Sequence, residues 1–129
     1  MQNDTLAAAL SNVMNHERTS KRSCIINPAN RVIKEVLNVL NTHNFIGAYE
    51  RQSEVRGGFL RVNLLGTINN VGAIKPRFAV KVDGFEKMEK RFLPAKDVGI
   101  LIVSTNQGIM THLDAKQKNI GGKVLAYCY

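Results

Sequence analysis

The residues best suited to chemistry form a short polar run that follows an apolar stretch in the last third of the chain. This run and the residues directly after it contain Ser104, Thr105, Asn106, Gly108, Ile109 and Met110. Hydroxyl and amide groups hydrogen-bond the phosphates, 2′-hydroxyls and base edges of RNA, and a glycine lets a backbone approach closely. Ile109 or Met110 would then rest on a sugar or a base. The pattern predicts an RNA-binding turn, although an ordinary strand-to-helix turn has the same local chemistry.

The charge balance favours RNA over the ordinary turn. The 129 residues include 18 Lys and Arg against 10 Asp and Glu, which gives a net charge of +8. Such an excess concentrates polyanions around a protein, and Lys116, Lys118 and Lys123 follow the polar run closely. With 44% hydrophobic and 22% charged residues, the composition is that of a folded chain and not of a disordered basic tail. Nucleic acid is therefore the predicted partner, with an anionic membrane surface or an acidic protein as alternatives.

Enzymatic use of the same residues requires a histidine beside Ser104. The sequence offers His16, His43 and His112, but it has no G-x-S-x-G motif around a serine. A small hydrolase or transferase acting through Ser104 and His112 is the second hypothesis, and it requires a concave pocket that holds both side chains within hydrogen-bond reach. The glycine pairs match no nucleotide-binding spacing. We expect no catalytic residue, no cofactor and no small-molecule substrate.

The cysteines and the first residues bear on the compartment. Cys24 and Cys128 stand far apart without C-x-x-C spacing, and both lie among apolar residues of predicted strands. They are therefore predicted to be small core residues in a reducing cytosol, with no metal site and no disulfide framework. Residues 1–10 lack a cationic stretch before an apolar run, and no segment approaches the length of a membrane span. Neither export nor a membrane partner is expected.

In the first half of the chain, the pattern predicts the element order α-β-α-β-β. Two helical series of apolar residues are present, Leu6, Leu10, Val13 and Met14 and then Ile33, Val36, Leu37 and Leu40. Asn30 is the predicted cap of the second helix. The predicted elements are a helix at 5–15, a strand at 23–27, a helix at 30–43, and strands at 45–50 and 59–65.

The second half is predicted to be rich in strands. Strand patterns cover residues 78–82, 99–104 and 122–129, and the first of them ends at the turn Asp83-Gly84. One short helix is expected, with Thr111 as its cap and Asp114 three residues later. The last strand should place two groups of side chains on opposite faces, Val124, Ala126 and Cys128 against Lys123, Leu125, Tyr127 and Tyr129.

These elements predict an α+β protein of two modules. Residues 1–66 form an N-terminal α-β-α-β-β module, which packs on a β-rich C-terminal module, residues 67–129, with one short helix. The polar run then lies in the C-terminal module, directly after an apolar strand. A basic segment at residues 16–22 follows the first helix and is a candidate phosphate contact of the N-terminal module.

Two motifs give the chain a family resemblance. S-T-N-Q-G-I-M-T-H covers residues 104–112, and G-G-K-V-L-A-Y covers residues 121–127. The chain resembles the small ribosomal subunit protein eight family, in which S-T-x-x-G-[IV]-M opens the RNA-binding element and G-G-[EK]-[IV]-L occupies the returning strand. The resemblance covers essentially the whole chain, because D-T-L-A-A-A-L-S-N-V, K-R-S-C-I-I-N-P, P-R-F and L-P-A also fit. The last two motifs are the archaeal and eukaryotic form.

The resemblance implies a structural constituent of the small ribosomal subunit that is not an enzyme. Such a protein binds the central domain of small-subunit ribosomal RNA, supports subunit assembly and translation, and lies beside other small-subunit ribosomal proteins. It implies a cytoplasmic location in the cytosolic ribosome, with passage through the nucleolus if the source is eukaryotic. The shape of a folded RNA helix, and not a linear sequence, is the expected target, because A-form RNA hides its base edges in a deep major groove.

The resemblance also implies the binding residues. The RNA turn comprises Ser104, Thr105, Asn106, Gly108, Ile109 and Met110, and the final strand adds Gly121, Gly122 and Lys123. Charge and position predict contacts from the first half at Thr5, Asn12, Arg18, Lys21, Arg22 and Lys34. An exposed, solvated face is the alternative for each residue of this second group.

Three positions depart from the family pattern. Asn106 stands where the family more often has serine, Leu113 replaces a usual charged residue, and Gln117 replaces a usual basic one. The short helix is therefore expected to contribute less charge than its counterparts. Lys123 is the form found outside bacteria, where glutamate is common, and it is expected to contact a phosphate directly.

Overall fold

The structure is a computed structural model that describes residues 5–26, 31–52, 59–74, 77, 79–95 and 98–129. The chain forms two compact units, an N-terminal unit of residues Met1–Val71 and a C-terminal unit of residues Gly72–Tyr129. Helices and antiparallel sheets are present together, so the predicted α+β class is confirmed. The predicted modules, residues 1–66 and 67–129, stay a prediction.

The N-terminal unit has the predicted order α-β-α-β-β. Its elements are α1 (Thr5–Arg18), β1 (Ser23–Ile26), α2 (Arg31–Thr42), β2 (Ile46–Gln52) and β3 (Phe59–Leu64). Helix α1 extends three residues beyond the predicted end, and His16 and Arg18 place basic groups in its last turn, where the helix dipole favours them. The predicted cap Asn30 lies outside the described residues.

Apolar periodicity explains the core of the N-terminal unit. The three strands pair antiparallel in the order β1-β3-β2, with Val62 of β3 opposite Cys24 on one side and Tyr49 on the other. Buried residues alternate with exposed ones along the strands, as in Leu60, Arg61 and Val62. The helices bury both predicted apolar series, namely Leu6, Leu10, Val13, Met14, Ile33, Val36, Leu37 and Leu40.

Both cysteines are reduced thiols, and both are buried, as predicted. Burial, together with a smaller contribution from the charge of Glu17, raises the pKa of the Cys24 thiol to about 11. The thiol therefore stays protonated at neutral pH and acts as a small apolar core group.

The C-terminal unit is built on a five-stranded sheet, whose first strand begins one residue before the unit itself. Its elements are β4 (Val71–Ala73), β5 (Ala79–Val80), a 3-10 turn (Val82–Gly84), α3 (Phe85–Phe92), β6 (Ile100–Thr105), β7 (Gly108–Thr111), α4 (His112–Gln117) and β8 (Gly122–Cys128). The strand order is β4-β8-β6-β7, and β5 also pairs with β8. Residues 100–103 of β6 are all buried, which explains their unbroken apolar run.

The prediction of one short helix in the second half was wrong, because α3 is a second one. Phe85, Met88 and Phe92 stand at helical spacing, and the first two are buried. Asp83 and Gly84 do not simply end a strand, since they belong to a 3-10 turn that leads directly into α3. The expected strand at 78–82 is correspondingly short, and its described part is Ala79–Val80.

The predicted faces of the last strand were also partly wrong. The register between β6 and β8 shifts, so that Ile102 lies opposite Ala126 while Val103 lies opposite Val124. This β-bulge adds one residue to β8 and reverses the alternation beyond it. Val124 therefore joins the core cluster against which Tyr127 and Tyr129 pack, instead of sharing a face with Ala126.

Candidate nucleic-acid interface

The predicted RNA turn is a tight hairpin between β6 and β7. Thr105 pairs with Gly108, which leaves Asn106 and Gln107 as an exposed two-residue loop. The Thr105 hydroxyl donates to the Gly108 carbonyl at 2.8 Å and accepts from the Gln107 backbone N–H at 3.1 Å. Gly108 has a φ of +115°, a conformation that side chains with a Cβ rarely adopt. Thr105 and Gly108 thus determine the shape of the turn.

Strand register places three predicted residues in one row across the sheet. Ser104 of β6 lies opposite Ile109 of β7 on one side and Lys123 of β8 on the other. Ala79 of β5 continues the row, because it lies opposite Lys123. Since side chains in register share a face of a sheet, the hydroxyl, the ammonium group and the apolar side chain face the same way.

Met110 has a different environment from its neighbour Ile109. It is 8% exposed and belongs to a core cluster with Phe85, Val103 and Ala115. Successive residues of a strand point to opposite faces, which separates Met110 from the row that contains Ile109. The structure therefore gives Met110 a packing role, and its predicted RNA contact stays a prediction.

A cleft of about 630 Å³ brings six of the predicted residues together. Ser104, Thr105 and Asn106 form one wall, and Gly121, Gly122 and Lys123 contribute another. Four further residues line the cleft that were not predicted from the sequence, namely Ala79, Val80, Lys81 and Ile120. They had no local signal except the positive charge of Lys81, because β5 reaches the cleft only through its pairing with β8.

The two glycines at the start of β8, Gly121 just before the strand and Gly122 as its first residue, are needed for close backbone approach. A Cβ on Gly122 would lie 2.3 Å from the Ser104 carbonyl oxygen, and one on Gly121 would lie 2.5 Å from the Val80 carbonyl oxygen. Both distances are far below van der Waals contact, so a side chain at either position would push the strands apart. The G-G pair therefore sets the spacing of the cleft walls.

The chemistry of the cleft suits an anionic, hydrogen-bonding ligand. Lys81 and Lys123 are exposed cations, and no acidic residue lines the cleft in the described part of the chain. The Ser104 hydroxyl and the Asn106 amide form no hydrogen bond with another described residue, so both are available to a ligand. Phosphates and 2′-hydroxyls are ligands of this kind.

The predicted residues of the N-terminal unit are less concentrated. A second concave surface of about 380 Å³ is lined by His16, Lys21, Ser23, Cys24, Ile25 and Arg61. Of the predicted residues, it contains Lys21, and the structure adds the cation of Arg61. Arg18 and Arg22 are exposed elsewhere on the same segment, and Lys34 is half-buried on α2.

Of the two uncharged predicted residues of α1, Asn12 already serves the fold. The Asn12 side-chain amide donates to the Ile25 carbonyl at 2.6 Å and so ties α1 to β1. Thr5 is half-buried at the first residue of the helix. Their predicted RNA contacts stay predictions.

A comparison with protein families bears on these two surfaces. A family model described as ribosomal protein S8 matches residues 4–129. The chain belongs to the ribosomal protein S8 family. It is a small-subunit ribosomal protein, as the motifs at residues 104–112 and 121–127 predicted. The S8 family is a structural family and not an enzyme family.

The geometry of this S8-family chain does not favour the hydrolase hypothesis. His112 is 2% exposed and does not line the cleft that contains Ser104. Its Nδ1 accepts from the Leu101 backbone N–H at 3.1 Å, and its Nε2 lies 3.0 Å from Glu89 Oε1. Both ring nitrogens are thus occupied, which leaves neither to activate the serine.

Within the described ranges, no group of three or more His, Cys, Asp and Glu side chains is arranged to hold a metal ion. Among the helices of those ranges, none combines the length and the apolar character that crossing a bilayer requires.

Proposed function

We propose that this chain binds the central domain of small-subunit ribosomal RNA through the cleft of its C-terminal unit. It acts there as a structural constituent that supports subunit assembly and translation, and it catalyses no reaction. The observation that carries the proposal is the row of Ser104 and Lys123 beside the exposed Asn106, in a cleft without acidic lining among the described residues. Membership in the S8 family supports it.

The mode of recognition follows from the rigidity of the cleft. The Thr105 hydroxyl and the strand-spacing glycines preorganise the polar groups, so little conformational entropy is lost on binding. Ser104 and Asn106 would hydrogen-bond 2′-hydroxyls or base edges in the wide minor groove or at an irregular internal loop. Lys81 and Lys123 would contact phosphates on either side. The expected target is therefore a particular RNA shape.

The proposal extends to partners and location. The N-terminal cations Arg18, Lys21, Arg22 and Lys34, with Thr5 and Asn12, would add RNA contacts outside the cleft. Neighbouring small-subunit ribosomal proteins would cover other parts of the surface. The chain would work in the cytosolic ribosome, after passage through the nucleolus if its source is eukaryotic.

The test is binding of the purified protein to a transcript of the central small-subunit RNA helix and to a scrambled duplex, across salt concentrations. Ser104→Ala should weaken binding to the specific transcript by about 1 to 3 kcal/mol, because it removes a hydrogen-bonding group at the RNA surface. Thr105→Ala should be measured separately, since its hydroxyl also closes the turn.

Thr42→Ala is the matched control, because the Thr42 hydroxyl is exposed and bonds the Asn38 carbonyl within α2. It should bind as the wild type does. Equal binding to both RNAs, with a steep loss at high salt, would contradict the proposal. Non-specific attraction between the basic protein and phosphates would then be the only explanation of binding. Binding to an acidic protein that survives nuclease treatment would instead favour the protein-partner alternative.

A further inference from the structure

A buried polar network lies at the base of the β6–β7 hairpin. Helix α3 packs Phe85 against Met110 and Ala115. One helical turn later on α3, Glu89 Oε1 lies 3.0 Å from His112 Nε2 and 2.6 Å from Lys116 Nζ. His112 directly follows β7, so the network connects α3 to the end of the strand that leaves the predicted RNA turn.

The hydrogen bonds of His112 determine its tautomer. Leu101 of β6 donates its backbone N–H to Nδ1, so that nitrogen has no proton. Nε2 then carries the ring proton and donates a hydrogen bond to the Glu89 carboxylate. A second proton on the ring would bring two N–H donors face to face at Nδ1 and break the bond to Leu101.

We propose that Glu89 and His112 are positioning residues of the RNA-binding cleft, and that uncharged His112 maintains the hairpin geometry that RNA requires. RNA affinity should consequently fall when His112 takes up a proton. The inference rests on the proposed function for its affinity measurement, but its spectroscopic measurement is independent of RNA.

The charges around His112 have opposing effects. In the described part of the chain, α3 contributes the Glu89 carboxylate, α4 contributes Lys116, and β6 contributes the uncharged Leu101 N–H. Burial lowers the pKa of His112, the Glu89 charge opposes this without reversing it, and Lys116 lowers it further. The net direction favours the neutral ring that the hydrogen bonds require.

The first experiment measures the affinity for the specific transcript between about pH 7.5 and about pH 4.5, a range that spans histidine titration. Wild-type affinity should fall about fivefold or more as the pH is lowered, once the hairpin loses its support. A basic protein without such a network would bind RNA more tightly at low pH, because its histidines become cations. The sign of the change in RNA affinity therefore distinguishes the proposed network from simple charge attraction.

His112→Asn removes the titration but keeps an oxygen that can accept from the Leu101 N–H. Its affinity should be lower than that of the wild type at neutral pH and should vary less with pH. His43→Asn is the matched control, because His43 is exposed beyond α2 and should leave the pH profile of the wild type unchanged. Equal pH profiles for the wild type and His112→Asn would overturn the proposal.

The positioning role of Glu89 has its own test. Glu89→Ala should weaken specific binding about tenfold, since it leaves the His112 N–H without an acceptor. Glu89→Gln retains an acceptor oxygen and should recover most of that loss. The control is Glu86→Ala, which removes an exposed carboxylate from the same helix. A Gln variant as weak as the Ala variant would count against a positioning role.

A nuclear magnetic resonance titration of the free protein separates this inference from the proposed function. The His112 ring should show a proton on Nε2 and none on Nδ1 at neutral pH, and the amide signals of residues 104–111 should shift together with its protonation. This outcome would support the link even if the central-domain transcript did not bind. Another tautomer of His112, or amide signals of residues 104–111 that do not change as His112 takes up a proton, would overturn the inference.

Discussion

The two concave basic surfaces of this chain are constructed in different ways. In the cleft of the C-terminal unit, β5 approaches Gly121 just before β8 and β6 approaches Gly122 at its start, while Ser104 and Asn106 lie on a closed hairpin. In the N-terminal unit, Lys21 and Arg61 contribute cations on long side chains from a loop and a strand. Rigid backbone favours recognition of a shape, whereas flexible cations favour any phosphate. The comparison predicts specificity in the first region and general affinity in the second.

The largest expected effect comes from widening the cleft. Gly122→Ala should lower the free energy of unfolding by about 2 to 3 kcal/mol, because its Cβ would overlap the Ser104 carbonyl and separate β6 from β8. Chemical denaturation would measure this change. Gly108→Ala is the comparison variant, since its Cβ meets nothing within 4 Å and only the positive φ opposes it.

Gly108→Ala should cost about 1 kcal/mol from backbone strain. If Gly122→Ala were no more costly, the close approach of the strands would not be what requires the glycine. Both variants should leave the basic surface of the N-terminal unit unchanged.

A smaller effect should distinguish the cations of the two regions. Lys81→Ala should reduce affinity for the specific transcript by about 1 kcal/mol and lower its advantage over a scrambled duplex, because Lys81 lies at the shaped cleft. Lys21→Ala should weaken both RNAs equally. Each should reduce the slope of log affinity against log salt by about one unit, the value for one lost phosphate contact. Salt titrations of both variants would measure these effects.

Lys87→Ala removes an exposed cation of α3 that does not line the cleft and provides the control. Equal losses on both RNAs for Lys81→Ala and Lys21→Ala would remove the distinction between the two regions.

The smallest expected effect is on stability in acid. Folding lowers the pKa of His112 from 6.5, so the folded chain binds fewer protons than the unfolded chain just below that pH. The stabilisation is complete above pH 6.5 and declines as the pH falls below it. Glu89 adds a second decline below pH 4.5. Its burial raises the pKa of the carboxyl, but the hydrogen bond from Lys116 and nearby positive charge outweigh burial and lower that pKa. Thermal unfolding across pH would show both declines, and His112→Asn should lack the first. An unchanged first decline in His112→Asn would assign it to another group.

Local patterns predicted several features of both regions. The helical series that begin at Leu6 and Ile33 lie in buried helix faces. An apolar stripe of this kind is buried against the core whichever element supplies the other side, so it can be predicted from one segment. The predicted cap Thr111 accepts from the Asp114 backbone N–H at 3.2 Å, since a cap and its partner are three residues apart. Helix α3 was missed although Phe85 and Met88 have helical spacing, because the preceding Asp83-Gly84 pair was interpreted as the end of a strand.

The sequence by itself determined the polar residues of the turn, the glycines beside Lys123 and the order of elements in the N-terminal unit. These features depend on neighbours within a few positions. Only the tertiary structure decided that Lys81 lines the cleft, that a bulge places Val124 on a different face from Ala126, and that Glu89 contacts His112. Each of these features depends on strand register or helix packing between distant residues. The side-chain periodicity of one segment does not specify which distant segment packs against it.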